Sequence, residues 1–206
     1  MARKKPAPKL TDADWLKSED PKALAKVAID SSRATDRVMR LFVAAFWGWQ
    51  AESLHAVEAR EGLRSRAAMI EEWGESGVAP NTESDYNAMS VVGQTSDARW
   101  AVKTTARAPG TWGKMGVPAV KQAVLLVRDI FGNPFRPVAF DKSWLTSTVI
   151  AIALGMYESR DFSAMPILAD ALQDAGCEND DILTHCRGSG PHVRGCWVVD
   201  HVLGKS

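Results

Sequence analysis

The sequence predicts an all-α fold, a compact multi-helix bundle with a loop-rich central segment and a C-terminal helical hairpin. Apolar residues recur at three- and four-residue spacing along most of the chain, the pattern of helices that each bury one face. No stretch keeps the alternation of a half-buried strand for more than a few residues, and no period of about 20–50 residues repeats. Pro and Gly stand where helices start and stop. The 206 residues suffice for a single domain with a continuous core, read as residues 11–206 after a basic tail over 1–10.

The tail carries Arg3, Lys4, Lys5 and Lys9 between Pro6 and Pro8, with no acid, and reads as solvated and disordered. Thr11 and Asp14 have the spacing of a capping box for a short helix holding Trp15 and Leu16. Asp20–Pro21 starts a second, with Leu24, Val27 and Ala28 on one face. A long helix opens at Thr35 or Asp36; Val38, Leu41, Phe42, Ala45 and Trp49 form one stripe, and Val43, Phe46 and Trp47 fill the other side. A helix apolar nearly all round belongs at the centre of the bundle. Its pattern runs on past Gly48 through ESLHAVEAREGLRSRAAMIEEW, where charges return.

Residues 74–118 shift toward Gly, Ser, Thr and Asn, which marks a variable, loop-rich insertion around one helix in SDYNAMSVVGQTSDARWAVKTTAR. Beyond it, Val120, Ala123, Val124, Val127, Ile130 and Phe131 make a stripe that Gly132 and Pro134 end. After the extended GNPFRPVAFD, Asp141 or Ser143 caps a helix with Leu145, Thr148, Val149, Ile152, Ala153 and Met156 inward. MPILADALQDAG and ENDDILTHCR give two short helices, the second capped by Asn179, and HVRGCWVVDHVLG a last one. At least six helices are expected.

Charge excludes some functions. Basic and acidic residues balance at 25 each, so no global field draws the chain to nucleic acid or an anionic membrane. A nucleic-acid face built on the tail with Arg33, Arg37 and Arg40 is the least supported option, because acids such as Asp30 and Asp36 interleave. The run LFVAAFWGW is too short to span a bilayer, and no apolar leader follows the basic start. Three cysteines at low density suit reduced thiols, and a cytoplasmic setting.

Chemistry concentrates in CENDDILTHCRGSGPHVRGCWVVDH, which holds all three cysteines and three of the four histidines. Cys177, Cys186, His192 and Cys196, with His185 and His201 as further candidates, are ligand types that zinc accepts, but no tight Cys-x2-Cys knuckle is present. The favoured reading is therefore buried structural thiols and no metal. The elbow Arg187, Gly188, Ser189, Gly190, His192 and Arg194 offers an anion cradle if a helix starts near Pro191; a tight interhelix turn is the plainer reading. Nucleophilic catalysis would use Cys186 beside His185, or Cys196 with His192 and Asp200, which share one face if that last helix begins at His192. Apolar neighbours around Cys196 argue against a reactive thiolate.

Eight tryptophans are many for this length. Most sit on apolar stripes, while Trp73, Trp100 and Trp112 flank the central loops and would form a partner contact if exposed together. His55 reads as a surface residue.

The blocks TDADWLKSEDPKALAKV with DRVMRLFVAA, VRDIFGNPFRPVAFDKSWLTSTV and MPILADALQDAGCENDDILTHCRGSGPHVRGCWVVDHVLGK resemble a paralogous protein family of planctomycete bacteria of the Gemmata type. The resemblance covers about 11–46 and 122–205 and leaves the centre divergent. It implies no activity, substrate or cofactor, and multiplication within a genome suits interaction or regulatory modules. The sequence is thus read as an intracellular interaction or scaffold module without catalysis and with an unknown protein partner. The alternative is a small ligand- or anion-binding protein or enzyme that uses the C-terminal Cys/His/Arg elbow, with or without zinc.

Overall fold

The computed structural model describes residues 10–54, 56–81, 97–111 and 116–205. The basic residues of the tail, His55, Trp112 and the first part of the expected central helix lie outside the described residues. The fold is all-α, with ten α-helices and no strand among the described residues. In chain order they are α1 (Asp12–Lys17), α2 (Pro21–Ala28), α3 (Asp36–Glu52), α4 (Val57–Ser76), α5 (Ala98–Thr111), α6 (Gly116–Phe131), α7 (Ser147–Ser159), α8 (Met165–Asp174), α9 (Asp180–Arg187) and α10 (Trp197–Val202).

Local chemistry fixes most starts. Thr11 and Asp14 form the reciprocal capping box of α1, and Asp20 accepts from Lys22 N–H ahead of Pro21 in α2. Thr35 caps α3 and Asn179 caps α9 through their side chains. Asp141 caps a short 3-10 turn over Lys142–Trp144, and the following α7 takes Thr146 as its cap. The C-terminal carbonyls around α1 are satisfied from afar: Arg128 of α6 donates to the carbonyls of Trp15, Leu16 and Ser18.

Besides α7, which starts at Ser147 and not at Asp141 or Ser143, two further boundaries differ from the sequence reading. The long pattern beginning at Thr35 is two helices, because the chain breaks after Glu52 and α4 folds back along α3. The side chain of Ser53 bonds the carbonyl of Gln50 and closes α3 there. The last helix begins at Trp197 instead of His192. Residues 189–196 are an irregular strap containing a cis Gly190–Pro191 bond and Gly190 and Gly195 at positive φ.

Two hydrophobic clusters form the interior. The first joins α1 to α6 through Trp15, Leu24, Phe42, Phe46, Leu126 and Ile130, all at most 1 % exposed. The second joins α7 to α10 through Val149, Met165, Leu168, Ile182, Trp197 and Val199. Side chains of this size contribute roughly 1.5–3 kcal/mol each when fully buried. As expected, α3 is buried on several faces and sits at the centre of the first cluster.

The seam between the clusters is ionic. Asp200 of α10 is fully buried and accepts from Arg33 (3.3 Å) and Arg37 (2.7 Å). Arg37 also donates to Glu75 and Tyr157, while Tyr157 and Lys205 donate to Glu75. Arg194 donates to Glu71, and its guanidinium lies 4.9 Å from the Tyr157 ring centre. These arginines hold the fold together, and Arg40 covers the Trp73 ring at 4.2 Å. Arg33, Arg37 and Arg40 therefore do not form a free basic face. No described helix is long and apolar enough to cross a membrane.

Candidate metal centre

Four side chains from three elements meet where the clusters join. Asp129 comes from α6, His185 from α9, and His192 and Cys196 from the strap, and one donor atom of each lies within 4.8 Å of all the others. Nε2 of His185 is 3.2 Å from the Cys196 sulfur and 3.2 Å from Oδ1 of Asp129. Nδ1 of His192 is 2.7 Å from that same oxygen. The cluster is a candidate metal-binding site.

The surroundings hold the donors in place. Asp129 sits in the last turn of α6, beside the stripe that builds the first core, and its Oδ2 accepts from Val193 N–H at 3.2 Å. His185 faces inward from the last turn of α9, where its ring packs 5.2 Å from Trp197 and 4.9 Å from His192. Cys196 is delivered by a tight approach of the strap to the core. A Cβ on Gly195 would stand 3.1 Å from Leu41, and its φ of +93° is one that L side chains rarely adopt.

Exposure is low throughout: 3 % for Asp129, 0 % for Cys196, and 16 % and 8 % for the His185 and His192 side chains. Burial alone pushes the Asp129 carboxyl up, but hydrogen bonds from His185 and His192 outweigh it and hold it below its ordinary value. Burial pulls His192 down, and its hydrogen bond to Asp129 together with that charge raises it above the ordinary value. Burial, then the Asp129 charge, drives the Cys196 thiol well above its usual range. His192 and Cys196 thus hold their protons more tightly than usual, while Asp129 is kept ionised.

Chemically the arrangement is not a catalytic triad. A Cys–His–Asp relay needs two different imidazole nitrogens, one on the thiol and one on the carboxylate. Here a single nitrogen of His185 faces both groups, as it would if all donors converged on one point. Cys196 is also fully buried, so it lacks the exposure a nucleophile requires.

The expectation of an interaction or scaffold module without catalysis, its thiols serving only the interior, is overturned by this cluster. A buried carboxylate, two imidazoles and a thiol sharing one point favour the ligand-binding alternative over a bare scaffold. Of the sequence candidates, His192 and Cys196 belong to the cluster, as does His185. Cys177 and Cys186 are buried in the second hydrophobic cluster as free thiols, with Cys186 pushed up to about 12, chiefly by burial. Asp200 turns to Arg33 and Arg37, and His201 stacks on Phe140 at 4.8 Å.

The elbow residues disperse. Arg187 donates to Asp170 and Gln173, Arg194 to the Tyr157 carbonyl and Glu71. Gly188 is the C-cap of α9, Ser189 and Gly190 lie in the strap, and no helix starts at Pro191 to supply an anion-binding end. The tryptophan contact also fails as a group. Trp73 is buried beneath Arg40, Trp100 is 51 % exposed, and Trp112 lies outside the described residues.

Asp129 is the residue that sequence reasoning missed. Its signal was an acid inside VKQAVLLVRDIF, next to a core stripe and with no basic residue spaced to pair with it on the buried side. No protein-family model, no curated protein and no solved structure matches this chain.

Proposed function

We propose that the protein binds a divalent transition metal, with zinc as the best fit, through Asp129, His185, His192 and Cys196. The observation that carries this is the shared position of His185 Nε2, at 3.2 Å from both a thiol and a carboxylate oxygen. Donors around a tetrahedral zinc, at bonds of roughly 2.0–2.3 Å, stand about 3.3–3.8 Å apart. Two of the donor pairs here stand at 3.2 Å, and the full spread, from 2.7 Å to at most 4.8 Å, brackets that spacing. Two nitrogens, one sulfur and one oxygen suit zinc; calcium and magnesium take oxygen almost exclusively.

With four protein donors the ion is held in a closed cage and ties α6, α9 and the strap to one another. His192 is the cluster member that also lines a groove of about 740 Å³ between α3, α4 and α6, and this groove is the approach for an ion. Cobalt(II) titration of the full chain tests the reading. One equivalent should bind, with visible absorption of a thiolate-ligated tetrahedral ion, and zinc should displace it. Asp129→Ala and Cys196→Ala should each reduce affinity at least about 10–100-fold. Absence of any saturable cobalt signal refutes the proposal.

A further inference from the structure

Trp197, whose ring packs 5.2 Å from His185, also lines a second cavity, of about 370 Å³. Its polar lining includes Ser32, Arg33, Asn133 and His201, with Ser31, Thr35 and Arg136 beside them, and its apolar lining includes Phe131, Pro137 and Trp197. No Asp or Glu is among its described lining residues, in a chain where acids and bases are equal in number.

The charge available to a ligand there is that of Arg33. Its Nε donates to the Ile130 carbonyl at 3.0 Å and its Nη2 to Asp200 at 3.3 Å, which fixes the guanidinium and leaves its remaining N–H groups unassigned among the described residues. Asp200 answers that charge only in part, since it lies 3.3 Å from Arg33 and closer, at 2.7 Å, to Arg37. Arg136, by contrast, is engaged by Asp12 at 2.6 Å and by Asp181 at 3.4 Å.

His201 completes the wall. Its ring is stacked on Phe140 and edge-on to Trp197, and neither nitrogen has a hydrogen-bond partner among the described residues. Burial and then the Arg33 charge lower its pKa to about 4, so at neutral pH it offers one N–H donor and one acceptor without adding charge.

We propose that this cavity binds a small organic acid carrying one carboxylate on a flat apolar body. The carboxylate pairs with Arg33 and the body lies against Trp197, Phe131 and Pro137. A phosphate dianion fits poorly, because one guanidinium already shared with Asp200 would have to balance two charges and the apolar wall would face nothing. A neutral ring of the same shape brings no charge to meet the share of the Arg33 charge that Asp200 leaves over.

The test uses benzoate as the probe, with benzamide and inorganic phosphate as comparisons, added to the full chain while the imidazole C–H signals of His201 are followed by NMR. Benzoate at millimolar concentration should shift those signals saturably; benzamide and phosphate should not. Arg33→Gln should weaken benzoate by about ten-fold or more. Ser32→Phe, placed at an exposed position on the cavity wall, should abolish binding while leaving the fold and the cobalt spectrum unchanged. Failure of benzoate to shift His201, equal binding of benzamide or phosphate, or unaltered benzoate binding by a folded Ser32→Phe protein overturns the proposal. Cobalt binding stands or falls separately.

Discussion

Oδ1 of Asp129 and Nδ1 of His192 lie 2.7 Å apart although 63 residues separate them in the chain. The contact pairs a buried carboxylate with a buried imidazole, and each shifts the other toward its charged form.

Metal binding and proton binding at His192 oppose each other. The folded pKa of His192 is above its ordinary 6.5, so without metal its stabilising contribution is complete below that value and fades as pH rises. A metal needs the imidazole neutral and the thiol deprotonated. The thermal shift produced by a fixed excess of zinc should therefore grow between about pH 5.5 and about pH 8. A shift that is flat or shrinks over that range contradicts the assignment of these donors.

His201 works in the opposite direction. Its folded pKa of about 4 is below 6.5, so the unfolded chain takes up the proton first and stability falls as pH drops from 6.5 toward 4. Urea denaturation of the metal-free protein should show His201→Gln narrowing the gap to the parent protein across that window.

All three cysteines should be inert in the native state. Cys177, Cys186 and Cys196 are each 0 % exposed, and burial keeps the Cys186 and Cys196 thiols protonated. Labelling at neutral pH should proceed only through unfolding, so its rate should follow added urea. A cysteine that reacts fully within the mixing time of native protein would revive the catalytic-thiol reading.

The strap is sensitive at Gly195. Gly195→Ala places a methyl group 3.1 Å from Leu41 and forces an L residue into φ +93°. The combined cost is about 2–4 kcal/mol in chemical denaturation. Because Cys196 is the next residue, cobalt affinity should drop with it, and a variant that keeps both properties would show that the strap is not positioned by this contact.

Fold class was legible because helical periodicity and caps are local signals: Thr11, Asp20, Thr35 and Asn179 all act where the sequence places them. The break after Glu52 was not legible, since the apolar spacing continues across it and only tertiary packing decides that α4 turns back. The site was half legible. His185, His192 and Cys196 announce themselves as residue types, but assuming a helix from His192 put Asp200 on the wrong side. The fourth donor, Asp129, reaches the others only through packing of α6 against the strap, which no ligand spacing encodes.

Asp200, Arg33 and Arg37 carry a consequence for descent. Deleting the carboxylate alone strands two shielded cations, a loss of roughly 3–5 kcal/mol, whereas exchanging all three for oily residues of like volume is close to neutral. Drift at these positions is therefore confined to joint replacement, so homologous sequences should carry the trio whole or lack it whole, and single departures should be scarce.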